Sequence, residues 1–165
     1  MAIGTEGSRA ELIEAAIKNY SNLIFRIAYS NLKNYHDAED VMQEVAVALV
    51  RGNPPLNDEN HLKNWIATVA LNKCRDILRR PWRGREEPLD DYLLVQSPDA
   101  REVMEELWQL PKKQRNIIYL YYYESYTIAE IAEILRMNPN TVSSNLTRAR
   151  KKLKTILEEG GTNNA

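Results

Sequence analysis

The stretch Leu62–Arg80, LKNWIATVALNKCRDILRR, constrains this chain more than any other. Read as a helix, its apolar residues Leu62, Ile66, Val69 and Ile77 recur at three- and four-residue steps, with Trp65, Ala70 and Leu78 beside them. A second stripe, Trp65, Thr68, Asn72, Arg75 and Arg79, runs along the same helix at spacings of three and four, so those side chains share one face. That face carries an aromatic ring, a hydroxyl, an amide and two guanidinium groups. Aromatic rings stack on unpaired bases, amides read base edges and guanidinium groups hold phosphates. Arg79 and Arg80 also stand where a helix C-terminus favours positive charge. The competing interpretation is an amphipathic core helix with a solvated polar face and a half-buried Trp.

A chain of 165 residues is one domain or two small ones. Few glycines and many Leu, Ala, Glu, Lys and Arg favour helices throughout. The net charge of −1 conceals an uneven distribution. Residues 1–80 are balanced, 81–100 carry two cations against five anions, and 101–165 carry ten cations against eight anions. A nearly neutral molecule binds DNA poorly without help, because non-specific binding is mostly phosphate electrostatics. If the chain meets DNA, a partner holds it there.

Cys74 is the single cysteine, which excludes an intrachain disulfide and reads as a small buried hydrophobe. His36 and His61 lack further ligands at metal spacing, so no metal or cofactor is expected. No catalytic constellation, P-loop or dinucleotide turn is present, which argues against an enzyme. There is no apolar run of membrane-spanning length and no signal-peptide pattern, so a cytoplasmic protein is expected.

In chain order, Met1–Ser8 is a small polar segment expected to lack structure. Leu12 to Ala28 keeps a helical period, which Ser21 and Asn22 are expected to interrupt. Asp37 is expected to cap the next helix, Ala38 to about Val50, with Ala38, Val41, Met42, Val45 and Leu49 facing inward. Glu39, Asp40, Gln43 and Glu44 project elsewhere, either as a solvated acidic face or as a patch for a basic partner helix. Gly52-Asn53-Pro54-Pro55 ends that helix, and Asn60 is the expected cap of the next. Pro81 stops the Leu62–Arg80 helix. Residues 81–100 then lose periodicity and gather acid groups, as an acidic tether does. Ser97-Pro98 reads as a helix start, with a short helix over Glu102–Gln109 and another from Pro111. In that last one, Lys112–Tyr123, strand competes with helix, and Pro111 with the polar residues after it favours helix. Its tyrosines are expected as core filler.

Thr127-Ile128-Ala129-Glu130 matches a capping box, ahead of a short helix burying Ile128, Ile131, Ala132 and Leu135. A turn over Arg136–Pro139 follows, with Asn138 as cap. The next helix points Val142, Leu146, Ala149, Leu153 and Ile156 inward. This is helix-turn-helix spacing. Asn140, Thr141, Ser143, Ser144, Thr147 and Arg148 are then exposed where base edges are read. The cations Arg148, Arg150, Lys151, Lys152 and Lys154 are dense enough for phosphate contacts. A two-helix hairpin with a basic solvated end is the weaker alternative. Gly160–Ala165 is expected to fray.

Four blocks, DAEDVMQEV (37–45), NWIATVALNKCRDILRR (64–80), LPKKQRNII (110–118) and TIAEIAEILRMNPNTVSSNLTRARKKL (127–153), together resemble the small two-domain sigma factors of the extracytoplasmic-function group, in the sigma-70 class. The last block alone also resembles LuxR-type regulators. The resemblance implies an all-α chain: a region 2-like domain over 9–80, a flexible acidic linker over 81–100 and a region 4-like helix-turn-helix domain over 101–159. It implies core RNA polymerase as partner, through the β′ clamp coiled coil and the β flap, with Asp40, Gln43 and Glu44 on the polymerase-facing surface. It further implies promoter DNA as a second partner. Asn72 reads a flipped base at −10, Trp65 lies in the melting region, and Lys73, Arg75, Arg79 and Arg80 hold strand phosphates. The linker threads toward the polymerase active centre. At −35 it assigns base contacts to Ser143, Ser144, Thr147 and Arg148, within a reading surface of Thr141, Ser143, Ser144, Thr147, Arg148, Arg150 and Lys151. An anti-sigma protein as a further partner also follows from the resemblance. The chain departs from the family pattern at Ser143 and Asn145, where basic residues are common, at Arg136, where glycine is common, and at Ala46, which replaces an aromatic. The alternatives are a polymerase-independent helix-turn-helix regulator and an interaction module that never touches DNA.

Overall fold

A computed structural model describes residues 2–81 and 105–163, with side chains placed over 8–81 and 105–160. Within those residues the secondary structure is helical, with no strand. The chain divides into two compact units, Met1–Glu86 and Glu87–Ala165. The acidic stretch beyond Pro81 and the Ser97-Pro98 helix start lie outside the described residues, as does Glu102.

Three mutually packed helices build the first unit: α1 (Ala2–Leu32), α2 (Tyr35–Arg51) and α3 (Glu59–Leu78). The chain is helical from Ala2, so the lead-in expected to be unstructured extends α1 instead. Nor is α1 broken at Ser21-Asn22. The Ser21 hydroxyl donates to the Lys18 carbonyl at 3.3 Å, returning its polar group to the helix backbone. Leu23 and Ile24, the next two residues, are buried and hold that segment in place. The helix stops at Lys33, which takes φ 51°, and the Lys33 amide donates to the Tyr29 carbonyl at 2.9 Å.

The caps of α2 and α3 sit earlier than expected. Asn34, not Asp37, caps α2: its side-chain oxygen accepts from the Asp37 amide at 2.9 Å, and Asp37 lies in the first turn, where a carboxylate suits the helix dipole. Asp58, not Asn60, caps α3 by accepting from the His61 amide at 3.1 Å. In both cases the short polar side chain three residues before the bonded amide wins. Ala38, Val41, Val45 and Leu49 of α2 are buried, while Met42 is only half-buried. On α3 the buried set is Leu62, Ile66, Ala67, Ala70, Leu71, Cys74 and Ile77. Val69 is half-buried rather than core, because Ala70 and Cys74 continue the Leu62–Ile66 stripe and turn Val69 to its flank. Each fully buried Leu or Ile here contributes roughly 1.5–3 kcal/mol.

The second unit begins, within the described residues, with a helical turn at 105–107 that buries Leu107. Helix α4 (Lys112–Ile118) runs directly into a π-helical turn, Tyr119–Tyr123. The helix expectation for the tyrosine run therefore holds, but core filler describes only part of it. Tyr119 is buried, whereas Tyr122 and Tyr123 are 51% and 48% exposed. The wider π turn is closed by the Glu124 amide on the Tyr119 carbonyl at 3.3 Å.

Helices α5 (Ile128–Leu135) and α6 (Pro139–Asn163) complete the unit. The capping box forms in both directions: the Glu130 amide donates to the Thr127 hydroxyl at 3.1 Å, and the Thr127 amide to the Glu130 carboxylate at 3.2 Å. The buried face of α5 is Ile131, Ala132 and Ile134, with Ile128 and Leu135 half-buried. Val142, Leu146 and Ala149 of α6 are buried as expected, and Leu153 and Ile156 are half-buried. Helix α6 continues to Asn163, past the point where fraying was expected.

Candidate nucleic-acid and polymerase interfaces

The polar stripe on α3 lies opposite the core. Trp65, Thr68, Asn72 and Arg75 are half-buried and Arg79 is exposed, so all five reach the surface of the first unit. Hydrogen bonds fix the middle of the stripe. Arg75 Nη1 donates to Asn72 Oδ1 at 3.0 Å, which fixes the Asn72 rotamer and leaves its NH2 directed away from Arg75. The Thr68 hydroxyl donates to the Asn64 carbonyl at 2.9 Å. Trp65 is braced by the end of α2: a Cβ built on Gly52 would lie 3.6 Å from Trp65 Cζ2 and 2.6 Å from the Ala48 carbonyl oxygen. The Ala48 carbonyl at the end of α2 is what excludes a side chain at Gly52, and the indole lies at ordinary contact distance beside it. The Arg79 amide closes α3 on the carbonyls of Arg75 and Ile77, and Arg80 is exposed beside it.

Asp40, Gln43 and Glu44 are all exposed on α2, with Glu39. An ion pair joins this acidic face to α3, next to Asn72 of the stripe. Lys73 Nζ lies 3.4 Å from Glu44 Oε2, with both side chains partly in solvent. An exposed pair of this kind is worth at most about 1 kcal/mol. Sequence spacing gave no sign of this pair, which joins a cation assigned to DNA with a carboxylate assigned to polymerase. Tyr20 adds a second tie to α3. Burial, with the adjacent Glu59 carboxylate accepting its hydrogen bond, pushes the Tyr20 phenol above its ordinary value.

In the second unit, the turn between α5 and α6 is set by Arg136 at φ 55° and ψ 50°, with the Met137 amide on the Ala132 carbonyl at 2.8 Å. Asn138 Oδ1 then accepts from the Asn140 amide at 2.8 Å, opening α6 as expected. Thr141, Ser144, Thr147, Arg148 and Lys151 are exposed along α6, and Ser143 is half-buried. Asn145 turns inward instead: it is buried, and its Nδ2 donates to the Thr141 carbonyl at 2.9 Å. Arg150 is drawn to the π-helical turn, where its Nε donates to the Tyr122 hydroxyl. Its guanidinium lies 5.5 Å from the Tyr121 ring centroid and 5.4 Å from that of Tyr122.

The two units match two regions of one family in order: Sigma-70 region 2 over residues 16–84, and Sigma-70, region 4 over residues 100–153. The chain belongs to the sigma-70 class. Among relatives of this sigma factor are the ECF RNA polymerase sigma factor SigM of Mycobacterium tuberculosis, 27% identical over 92% of this chain and 86% of that one. RNA polymerase sigma factor SigV of Bacillus subtilis is 28% identical over 87% of this chain and 89% of that one. These relatives place it in the extracytoplasmic-function group, as a transcription initiation factor. CnrH, solved in complex with the cytosolic domain of CnrY, shares the fold at a TM-score of 0.65 and 22% identity, over 89% of this chain and 88% of that one. RpoE, solved in complex with the anti-sigma factor NepR from Bartonella quintana, does so at 0.61 and 19%, over 94% and 97%. A polymerase-independent regulator is not favoured, because it leaves the region 2 match over the first unit unexplained. Among the described residues, no group of acidic, His or Cys side chains has the arrangement of a metal site. No helix there is long and apolar enough to cross a membrane.

Proposed function

We propose that this sigma factor divides promoter recognition between its two units while core RNA polymerase supplies catalysis and non-specific DNA affinity. Asp40, Gln43 and Glu44 of α2 dock on the β′ clamp coiled coil. On α3, Asn72 accepts a base extruded from the −10 duplex, Trp65 supports the strand opening, and Lys73, Arg75, Arg79 and Arg80 hold phosphates. Taking a base out of the stack costs roughly a few kcal/mol, which contacts to Asn72 and its neighbours on α3 offset. Thr141, Ser143, Ser144, Thr147 and Arg148 read −35 in the major groove, with Lys151 on the backbone. The β flap engages the second unit, an anti-sigma protein restrains the factor between signals, and the site of action is the cytoplasm.

One observation carries this reading: the Trp65–Thr68–Asn72–Arg75–Arg79 stripe is surface-directed, with Asn72 held by Arg75 and Thr68 by the helix backbone, in a chain of the sigma-70 class. The test is promoter opening by reconstituted holoenzyme, read from the permanganate reactivity of unpaired thymines. Asn72→Ala lowers opening about tenfold or more, the effect of losing about 1–3 kcal/mol of base contact, while core binding is unchanged. Asp40→Lys with Glu44→Lys lowers core binding instead. Wild-type opening by the Asn72→Ala protein contradicts the assignment.

A further inference from the structure

We propose that Arg150 is a positioning residue for upstream recognition, clamped on Tyr121 and Tyr122, and not a phosphate contact. The inference rests on the reading of α6 as the −35 reader. Three observations converge on it. The Arg150 Nε donates to the Tyr122 hydroxyl across 28 positions of sequence, so the bond ties two elements that the chain does not otherwise join locally. The guanidinium also lies near both ring faces, at 5.5 and 5.4 Å from the Tyr121 and Tyr122 centroids. The two rings meet edge to face, 5.0 Å apart at 80°, which makes one aromatic corner around the cation.

The corner exists because the chain is π-helical there. The Tyr119–Tyr123 turn closes with a bond from the Glu124 amide to the Tyr119 carbonyl. Tyr119 stacks on Tyr123 at 5.9 Å and donates its hydroxyl to Glu124 at 2.7 Å, so a second ring pair anchors the other side of the turn. Tyr121 and Tyr122 are left to face α6. π turns of this sort recur at functional sites, where they redirect side chains that a regular helix would space differently.

Position on α6 supports the division of labour. Val142, Asn145, Leu146 and Ala149 mark the buried face, and Asn140, Ser144, Thr147, Arg148 and Lys151 the exposed one. Arg150 is also exposed but stands on the flank between them, next to Ala149 and three residues after Thr147, on the side of the π turn. A cation held by a charge-assisted hydrogen bond and two ring faces gives up those contacts to reach a phosphate. Lys151, Lys152 and Lys154 are exposed and carry no such tie to the tyrosines. The clamp instead sets the angle at which α6 packs against the π turn, and so where Ser143, Ser144 and Thr147 meet base edges. A small tilt of α6 about this contact moves those side chains out of hydrogen-bond range.

The experiment measures binding of reconstituted holoenzyme to promoter DNA with an intact or scrambled −35 element, as a function of salt. Arg150→Gln removes the charge, and Tyr122→Phe removes only the hydroxyl and keeps the ring. Both are expected to lower intact-over-scrambled discrimination three- to tenfold, with the slope of log K against log salt unchanged. Arg150→Lys, which keeps the charge but not the planar fork, is expected to behave like Arg150→Gln. A phosphate contact predicts otherwise: the slope for Arg150→Gln becomes shallower by about 0.9 while Tyr122→Phe is silent, and that result overturns the proposal. Unchanged discrimination in Tyr122→Phe, with thermal melting confirming its fold, also overturns it. A wild-type holoenzyme that ignores the scrambled element overturns the upstream reading itself, and the inference with it.

Discussion

Arg136 takes φ 55° and ψ 50° at the end of α5, a conformation that an L side chain adopts at a cost of about 1–2 kcal/mol. The family's usual glycine at this position is thereby explained: the helix-turn-helix corner needs a left-handed residue whatever its side chain. Arg136→Gly relieves that strain, partly offset by the freedom glycine gains in the unfolded state, and is therefore expected to stabilise the chain by a net of about 0.5–1 kcal/mol. Urea denaturation checks this, and destabilisation would contradict it. Tyr20 makes a second residue-scale prediction. Burial and Glu59 hold its folded pKa above its ordinary value of 10.0, so its contribution is full below pH 10 and fades as pH rises through the higher folded value. Tyr20→Phe should flatten part of the alkaline fall in thermal stability, and identical pH profiles for the two proteins would refute the link. At this scale the sequence was least legible. Asn34 and Asp58 outcompeted the expected caps Asp37 and Asn60 by geometry alone, and the Glu44–Lys73 and Arg150–Tyr122 pairs join residues whose proximity only packing creates.

At the scale of single elements, α2 ends at Gly52, where any Cβ would collide with the Ala48 carbonyl 2.6 Å away, while Trp65 of α3 stands at ordinary contact distance beside it. Gly52→Ala is expected to destabilise the first unit by about 1–3 kcal/mol through that overpacking. It should also weaken −10 opening more than −35 binding, as holoenzyme assays on separate promoter elements would reveal; equal losses at both would argue against a local effect. Periodicity made the α3 faces legible in advance, because a helix that buries Leu62, Ile66 and Ile77 has to turn Asn72 and Arg79 outward. Val69 was misplaced because the small residues Ala70 and Cys74, weak signals by hydrophobicity, carry the core stripe. The exposed Tyr122 and Tyr123 were equally hard to foresee, since a π turn has no distinctive spacing in sequence.

For the whole molecule, helical period and composition were enough for an all-helical fold, and the ordered blocks were enough for the family. The near-neutral net charge of −1 gives the sigma reading its sharpest consequence, because such a chain cannot hold DNA by electrostatics alone. Its selectivity has to appear only with polymerase. The decisive measurement is run-off transcription by purified core RNA polymerase on a promoter library, with and without this chain. The account predicts initiation confined to a subset of promoters sharing −10 and −35 motifs when the chain is added, and little specific initiation without it. An identical transcript profile with and without the chain would contradict it.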